Sequence, residues 1–329
     1  MPTGLDNRYP RLLADIGGTN ARFALQTERG LTDIRVMACA EHPTFDAAVR
    51  SYLAAVGTPA VRHAAIGIAN PVHGDWVQMT NHDWAFSIEA TRKAMGLSTL
   101  LVMNDFTALA LSLPHLSQKD LVQVGGTASE PNAAIGLLGA GTGLGISGLI
   151  PASGGAVGAL TGEGGHVSFT PFDEQEIDLW RFAHARHGHV SAERILSGPG
   201  LQLIHEWLST RAGRSFQPLP AAEISRRGLE GHDALCRDAI DMFCGALGTV
   251  AGDLALILGA RGGVYVGGGI VPKFGEYFAS SPFRSRFQSK GRFSKYLAAI
   301  PAFVITSAWP SLIGAASALD EHLERTAHA

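Results

Sequence analysis

Short apolar runs alternate with amphipathic stretches along most of the chain. Runs at about 11–16, 21–26, 34–38, 64–68, 99–103, 134–139, 144–150, 263–267 and 302–306 are brief and often β-branched, which predicts strands. Between them the period lengthens. In PTFDAAVRSYLAAV, Phe45, Val49, Tyr52, Leu53 and Val56 fall on one helical face. Residues 233–258 predict a long helix with Leu235, Ala239, Met242, Phe243, Ala246, Leu247 and Val250 as its buried stripe. The ending SLIGAASALDEHLE predicts a terminal helix. Hairpins first, then strands alternating with helices, indicate a mixed α/β sheet.

The pattern also repeats. LLADIGGTNARFAL and IGLLGAGTGLGISGLI share one plan: apolar strand, Gly/Thr turn, apolar strand. Each is followed by a β/α region, so the chain reads as two related lobes. A length of 329 residues, long for one core, agrees with that. If the two turns faced each other, both could offer backbone N–H groups to one polyphosphate.

Composition narrows the class. Hydrophobic content is 46% and charge 17%, which fits a globular protein with a good core. A net charge of −3 gives no electrostatic case for nucleic acid or an acidic membrane surface. Three cysteines without a CxxC pair suit a reducing, cytoplasmic setting, and no signal-peptide pattern opens the chain. Residues 131–162 carry no charge, but their many glycines and the stretch PASGG would make a poor membrane helix, so no span is expected. The leading MPTGLDNRYP reads as an extension of unknown role. Glycine is the outlier, at 40 residues, clustered in short loops. Such loops suit close backbone approach to phosphate or polyol, although each alone is more simply a tight turn.

Several nucleotide and hydrolase motifs fail. No Gly-Lys dipeptide exists, which excludes a Walker A loop, and there is no GxSxG elbow. Gly143, Gly145 and Gly148 match GxGxxG, yet a second strand rather than a helix is expected after them. His184, His187 and His189 read as a solvated helix end rather than a zinc site. TLLVMNDFTALAL has more chemical content: a buried-type strand delivers Asn104 and Asp105 to the start of a helix. Ligands bind outside the carboxyl ends of strands in such sheets. Asp105 is therefore either a helix cap or a general base for a hydroxyl group. Glu163, His166 and Glu193 sit in or beside Gly loops and could bind several hydroxyls, while Glu193 could instead be a helix-start acid after Ser191.

Taken in order, DIGGTNARFAL, TNHDWAFSI, NDFTALA, GAGTGLG, GEGGHV, GHVSAERILSGPGL and GGVYVGGGIVPKF resemble the bacterial glucokinase family of proteobacteria and cyanobacteria, from about residue 11 to about 316. The resemblance implies a two-lobed, actin-like sugar-kinase ATPase fold, with duplicated ribonuclease-H-like lobes and an active site in the cleft. It implies lobes of 1–114, with a helix at about 308–329 packing back, and 115–307. It implies phosphoryl transfer from ATP to O6 of glucose, and a homodimer. Asp15 would then help hold Mg²⁺ through water, and Gly17, Gly18, Thr19 and Asn20 would face the phosphates. Gly141, Thr142 and Gly143 match the second phosphate loop, and Gly268 and Gly269 the segment near the adenosine. Asp105 matches the catalytic base; Asn104, Asp105, Glu163, His166 and Glu193 match the glucose ligands.

A related family of sugar kinases and repressors carries a Cys-rich zinc motif after its His. Here VSFTPFDEQE follows His166 without a Cys, so no structural zinc is expected. A first strand beginning by about residue 12 leaves no room for those repressors' N-terminal helix-turn-helix. Two alternatives remain: a kinase for another hexose or amino sugar, or a non-catalytic sugar sensor. The presence of Asp105 argues against the sensor.

Overall fold

The computed structural model describes residues 9–152, 157–215 and 217–327. The MPTGLDNRYP extension therefore lies, up to residue 8, outside the described residues. Two compact units form: Met1–Leu116 with Ala308–Ala329, and Ser117–Ser307.

In the first unit the chain runs through β1 (Arg11–Ile16), β2 (Asn20–Thr27), β3 (Gly30–Ala38), α1 (Phe45–Ala55), β4 (His63–Ile68), β5 (Trp76–Gln78), β6 (Ala85–Ser87), α2 (Ile88–Ala94), β7 (Thr99–Asn104) and α3 (Asp105–Ser112). The main sheet has the order β3-β2-β1-β4-β7; β5 and β6 pair separately. The hairpin strands β1, β2 and β3 pair antiparallel, while β1, β4 and β7 run parallel. Alternation along β1 sends side chains to both faces. Leu12, Ala14 and Ile16 pack with Phe45, Val49 and Tyr52 of α1, whereas Leu13 joins Ala24 and Ala65 on the other face.

The second unit contains β8 (Leu121–Gln123), β9 (Ile135–Ala140), β10 (Leu144–Pro151), β11 (Val157–Ala159), α4 (Glu174–His187), α5 (Ala192–Ile195), α6 (Gly198–Arg211), α7 (Ala221–Leu229), α8 (Ala234–Leu258), β12 (Val264–Gly267), α9 (Tyr277–Ser280), α10 (Phe283–Gln288), α11 (Ser294–Ala299) and β13 (Ala302–Ile305). The final helix, α12 (Pro310–Ala327), belongs to the first unit and covers the Leu13 face of its sheet.

The second sheet has the order β11-β10-β9-β12-β13-β8. Its first five positions repeat the plan of the first sheet: an antiparallel meander of three, then two parallel strands. This is the duplicated topology of the actin-like sugar-kinase fold. The uncharged segment 131–162 supplies β9, β10 and β11, so its apolar content serves a sheet. The one helix long and apolar enough to cross a membrane, among the described residues, is α8. It forms the centre of the unit's core instead, with Cys236, Ile240, Phe243, Cys244 and Leu247 buried. The buried band is thus wider than the predicted stripe and turned from it: Leu235, Met242 and Val250 are only half-buried, because the core wraps the face carrying Cys236, Ile240 and Cys244.

Candidate active site

In the first unit, three parallel strands end in register. Ile16 pairs with Ile68, and Ile68 with Asn104. Whatever follows these residues emerges at one sheet edge, with β1 and β7 about 10 Å apart. After β1 comes the turn Gly17–Thr19, closed by the Gly17 N–H on the Asn20 carbonyl at 2.9 Å and by the Cys39 N–H on the Thr19 carbonyl at 2.9 Å. Neither Gly17 nor Gly18 has positive φ. Gly18 is needed for space: a Cβ there would lie 2.8 Å from Cβ of Asn81. Thr19 is exposed, and Gly17, Gly18 and Asn20 are half-buried.

Asp15 faces Arg22 across the hairpin, with Nη1 donating to Oδ2 at 3.0 Å. Burial raises the Asp15 pKa above its usual value, and the Arg22 charge partly offsets this.

After β7 comes the second acidic position. Asn104, not Asp105, caps α3: its Oδ1 accepts from Phe106 N–H at 2.9 Å and Thr107 N–H at 3.3 Å. Its Nδ2 donates to the Asn70 carbonyl at 3.4 Å. The reading of Asp105 as the helix cap is therefore corrected; Asp105 is the first helical residue. Its Oδ1 accepts from the Phe106 N–H at 2.9 Å, at the N-terminal end of α3. Gly67 lets this helix sit close, since a Cβ there would lie 3.1 Å from the Ala108 methyl. Asn70 supports Asn104 and escapes a motif reading; Asn81, inside the TNHDWAFSI motif, packs on the first Gly turn, a contact only the folded chain creates.

In the second unit, the turn Gly141–Gly143 joins β9 to β10, with Gly141 N–H donating to the Gly143 carbonyl at 2.8 Å. Glu193 reaches this turn. Its Oε2 accepts from Leu144 N–H at 2.9 Å and occupies the space a Cβ at Gly143 would need. Glu193 also stands in the first turn of α5, capped by Ser191. The helix-start reading therefore holds, and the same carboxylate stands beside the second Gly turn. On the other side of Leu144, Gly165 packs against the Leu144 carbonyl so closely that a Cβ would overlap it. That contact seats the loop of Glu163 and His166, whose side chains are 58% and 59% exposed and 3.9 Å apart. They face solvent, open to a ligand.

The Gly268–Gly269 loop follows β12 and meets the same strand end. Gly268 has φ +82°, and a Cβ there would overlap the Ala140 carbonyl. Beside Thr142 and Glu193 a cavity of about 280 Å³ opens, reaching Ser197, His187 and Glu206. The three histidines of α4 and its exit do separate things: His184 stacks on Trp180, His187 lines this cavity, and His189 contacts Ser168 Oγ at 3.1 Å.

Within the first unit, Asp15, the first Gly turn, Asn104 and Asp105 gather at one edge. Within the second, Glu163, His166, Glu193, the second Gly turn and the Gly268 loop gather at another. A duplicated sheet with a Gly/Thr turn at each first hairpin defines the actin-like sugar-kinase class. The sequence model of the Glucokinase family matches residues 12–322, and the chain belongs to that family. It is 58% identical to the glucokinase of Chromobacterium violaceum, over 98% of this chain and 93% of that one. It is 56% identical to a glucokinase of Neisseria meningitidis, over 96% of each. Among solved structures, the glucokinase from an Antarctic psychrotroph superposes with a TM-score of 0.84 at 34% identity, covering 95% of this chain and 99% of that one.

Proposed function

We propose that the protein is an ATP-dependent glucokinase, with Asp105 as the base that accepts the proton of the glucose O6 hydroxyl. The observation that carries the base assignment is the division of labour at the end of β7. Asn104 supplies the helix cap, so the adjacent carboxylate is not required for it.

Phosphoryl transfer has a loose transition state, so positioning and charge neutralisation matter most. Asp105 orients the hydroxyl in line and takes its proton late. Asn104, Glu163, His166 and Glu193 bind the sugar hydroxyls. The turns Gly17–Asn20 and Gly141–Gly143 offer backbone N–H groups to the phosphates, and Gly268 and Gly269 border the adenosine. Asp15 stands near the end of β1, just before the first turn, and Arg22 already engages one of its oxygens. That fits a Mg²⁺ ion held through water and phosphate rather than in a protein cage. Bound Mg²⁺ would neutralise charge on the phosphates. Three free, buried thiols support a cytoplasmic setting, and a homodimer is proposed on family resemblance.

The test is a coupled assay with Mg-ATP that reports hexose 6-phosphate and ADP separately. Glucose, mannose, fructose and N-acetylglucosamine run in parallel, with Asp105→Asn as control. The expected result is preferred turnover of glucose and a kcat about 10²- to 10⁴-fold lower in the variant, with KM much less changed. A variant kcat within about threefold of wild type would refute the base assignment. Preference for another sugar would move the substrate and keep the mechanism. Tight sugar binding without turnover would favour a sensor.

A further inference from the structure

Among the described residues, one cluster of metal-ligating side chains lies outside those given roles above. His205 of α6, Asp233 before α8 and Cys236 in its first turn each bring one donor atom within 4.8 Å of the other two. We propose that these three residues form a binding site for a thiophilic divalent cation of the zinc class, with water as the fourth ligand.

Local structure explains the convergence. Asp233 is the N-cap of α8 and Cys236 its third residue, a spacing that turns both side chains to the same side. Asp233 Oδ1 accepts from Leu235 N–H at 2.9 Å. His205 arrives from the packed neighbour α6, at 5% exposure, and Cys236 is fully buried. Asp233 is one-quarter exposed and gives the site its opening to water. Sulfur, imidazole nitrogen and one carboxylate oxygen, plus water, make a tetrahedral set suited to Zn²⁺ and unsuited to Mg²⁺.

The charge balance also fits. Carboxylate and thiolate together neutralise a divalent ion. Nearby Arg227 is held by Glu223 at 2.6 Å, and Arg214, 3.9 Å from Asp233, is largely exposed. On binding, the thiol exchanges its S–H bond for a sulfur–metal bond, and the proton leaves to solvent. The bound ion would tie α6 to α8. The first residue of α6, Gly198, donates to the Gly141 carbonyl of the second Gly turn at 2.8 Å. The site departs from the expectation of no zinc, which rested on the segment after His166 and on the histidines of 184–189 and considered none of these three residues. It does not depend on the glucokinase reading.

Cobalt provides the readout. Metal-free protein titrated with Co²⁺ is expected to develop a thiolate-to-cobalt charge-transfer band and tetrahedral visible bands at one ion per chain. Zn²⁺ should bleach them, and Mg²⁺ should not. Cys236→Ser and His205→Gln should abolish the charge-transfer band, while Cys39→Ser and Cys244→Ser should keep it. Asp233→Asn guards against a folding artefact, because Asn caps helices as well as Asp. It should weaken Co²⁺ binding at least about tenfold while the metal-free Tm stays near wild type. Zn²⁺ should raise the wild-type Tm and leave that of Cys236→Ser unmoved. No charge-transfer band in the wild type, or a band that survives in Cys236→Ser or His205→Gln, overturns the proposal.

Discussion

Glu193 makes two demands on one carboxylate. One oxygen holds the Leu144 N–H beside the second Gly turn, and the proposed function asks the group to bind sugar as well. The two roles separate by substitution. Glu193→Gln keeps an acceptor for Leu144 but loses the charge; Glu193→Ala loses both. A hydrogen bond to a charged group contributes about 1.5–3 kcal/mol, roughly tenfold or more in affinity. Steady-state kinetics should therefore show glucose KM raised in both variants and ATP KM raised at least about fivefold only in Glu193→Ala. An unchanged ATP KM in Glu193→Ala would mean that the Leu144 contact does nothing for the phosphate turn. Motif reading found Glu193 but not this contact, because the partner lies 49 residues away and only the seating of α5 beside β10 creates it. It likewise named Asn104 and Asp105 but left the cap unassigned between chemistry and structure. Two adjacent residues with similar capping propensity differ only in backbone geometry, which a sequence does not display.

Helix α12 meets α3 at Gly314. A methyl group there would overlap the Ala108 carbonyl and stand 2.9 Å from the Ser112 nitrogen. Alanine is better than glycine in a helix interior by about 1 kcal/mol, so propensity alone forecasts stabilisation. Overpacking against backbone costs about 1–3 kcal/mol or more, and it should win. Gly314→Ala is expected to lower Tm. It should also lower kcat, because displacing α3 moves Asp105 at its start. A higher Tm would show that the helices can part at little cost. A second element contact carries a pH signature. Arg186 of α4 donates to both carboxylate oxygens of Glu206 on α6, at 2.6 and 2.8 Å. Those hydrogen bonds hold the Glu206 pKa below its usual value. An acid with a depressed folded pKa stabilises above its unfolded pKa, and the gain fades as pH falls through the folded one. Arg186 is 41% exposed, so the pair contributes under about 1 kcal/mol. Arg186→Gln should lower the urea midpoint slightly at pH 7 and converge with wild type in acid, once pH has fallen through the depressed Glu206 pKa. An equal difference at both pH values would assign the effect to lost packing on Phe182, over which the guanidinium also stacks. The longer elements were legible from periodicity: β1, β9, α1 and α8 fall close to where the pattern sets them. The three-residue strands β5, β6, β8 and β11 were not, since so few residues cannot establish a period of two, and pairing partners rather than propensity define them.

Duplication is the property of the whole chain that the sequence displays best, because each half opens with the same hairpin and the sheets then share one strand order. The return of the chain end is a different kind of information. Nothing in SLIGAASALDEHLE says which sheet its apolar stripe will cover, since any apolar face of the right width would serve. The structure seats Leu312, Leu319 and Leu323 against Leu13, Ala24 and Ala65, more than 240 residues earlier in the chain. Burying three leucine side chains stabilises by about 5–9 kcal/mol in sum, which is comparable to the entire stability of a typical domain. Arg11, at 2% exposure, adds to the dependence. Its guanidinium pairs with Asp320 of α12 at 2.5 Å, an ion pair that losing α12 would remove. A chain ending at Ser307 should therefore fail in one unit and not in the other. Hydrogen exchange is expected to find β1, β4 and β7 unprotected while β9, β12 and α8 keep their protection, since their core draws on residues 124–304. Supplying α12 as a separate peptide should restore protection to the first sheet. Full protection of β1 in the truncated chain would mean that the sheet holds its own face, and that the leucines of α12 cover it without being required.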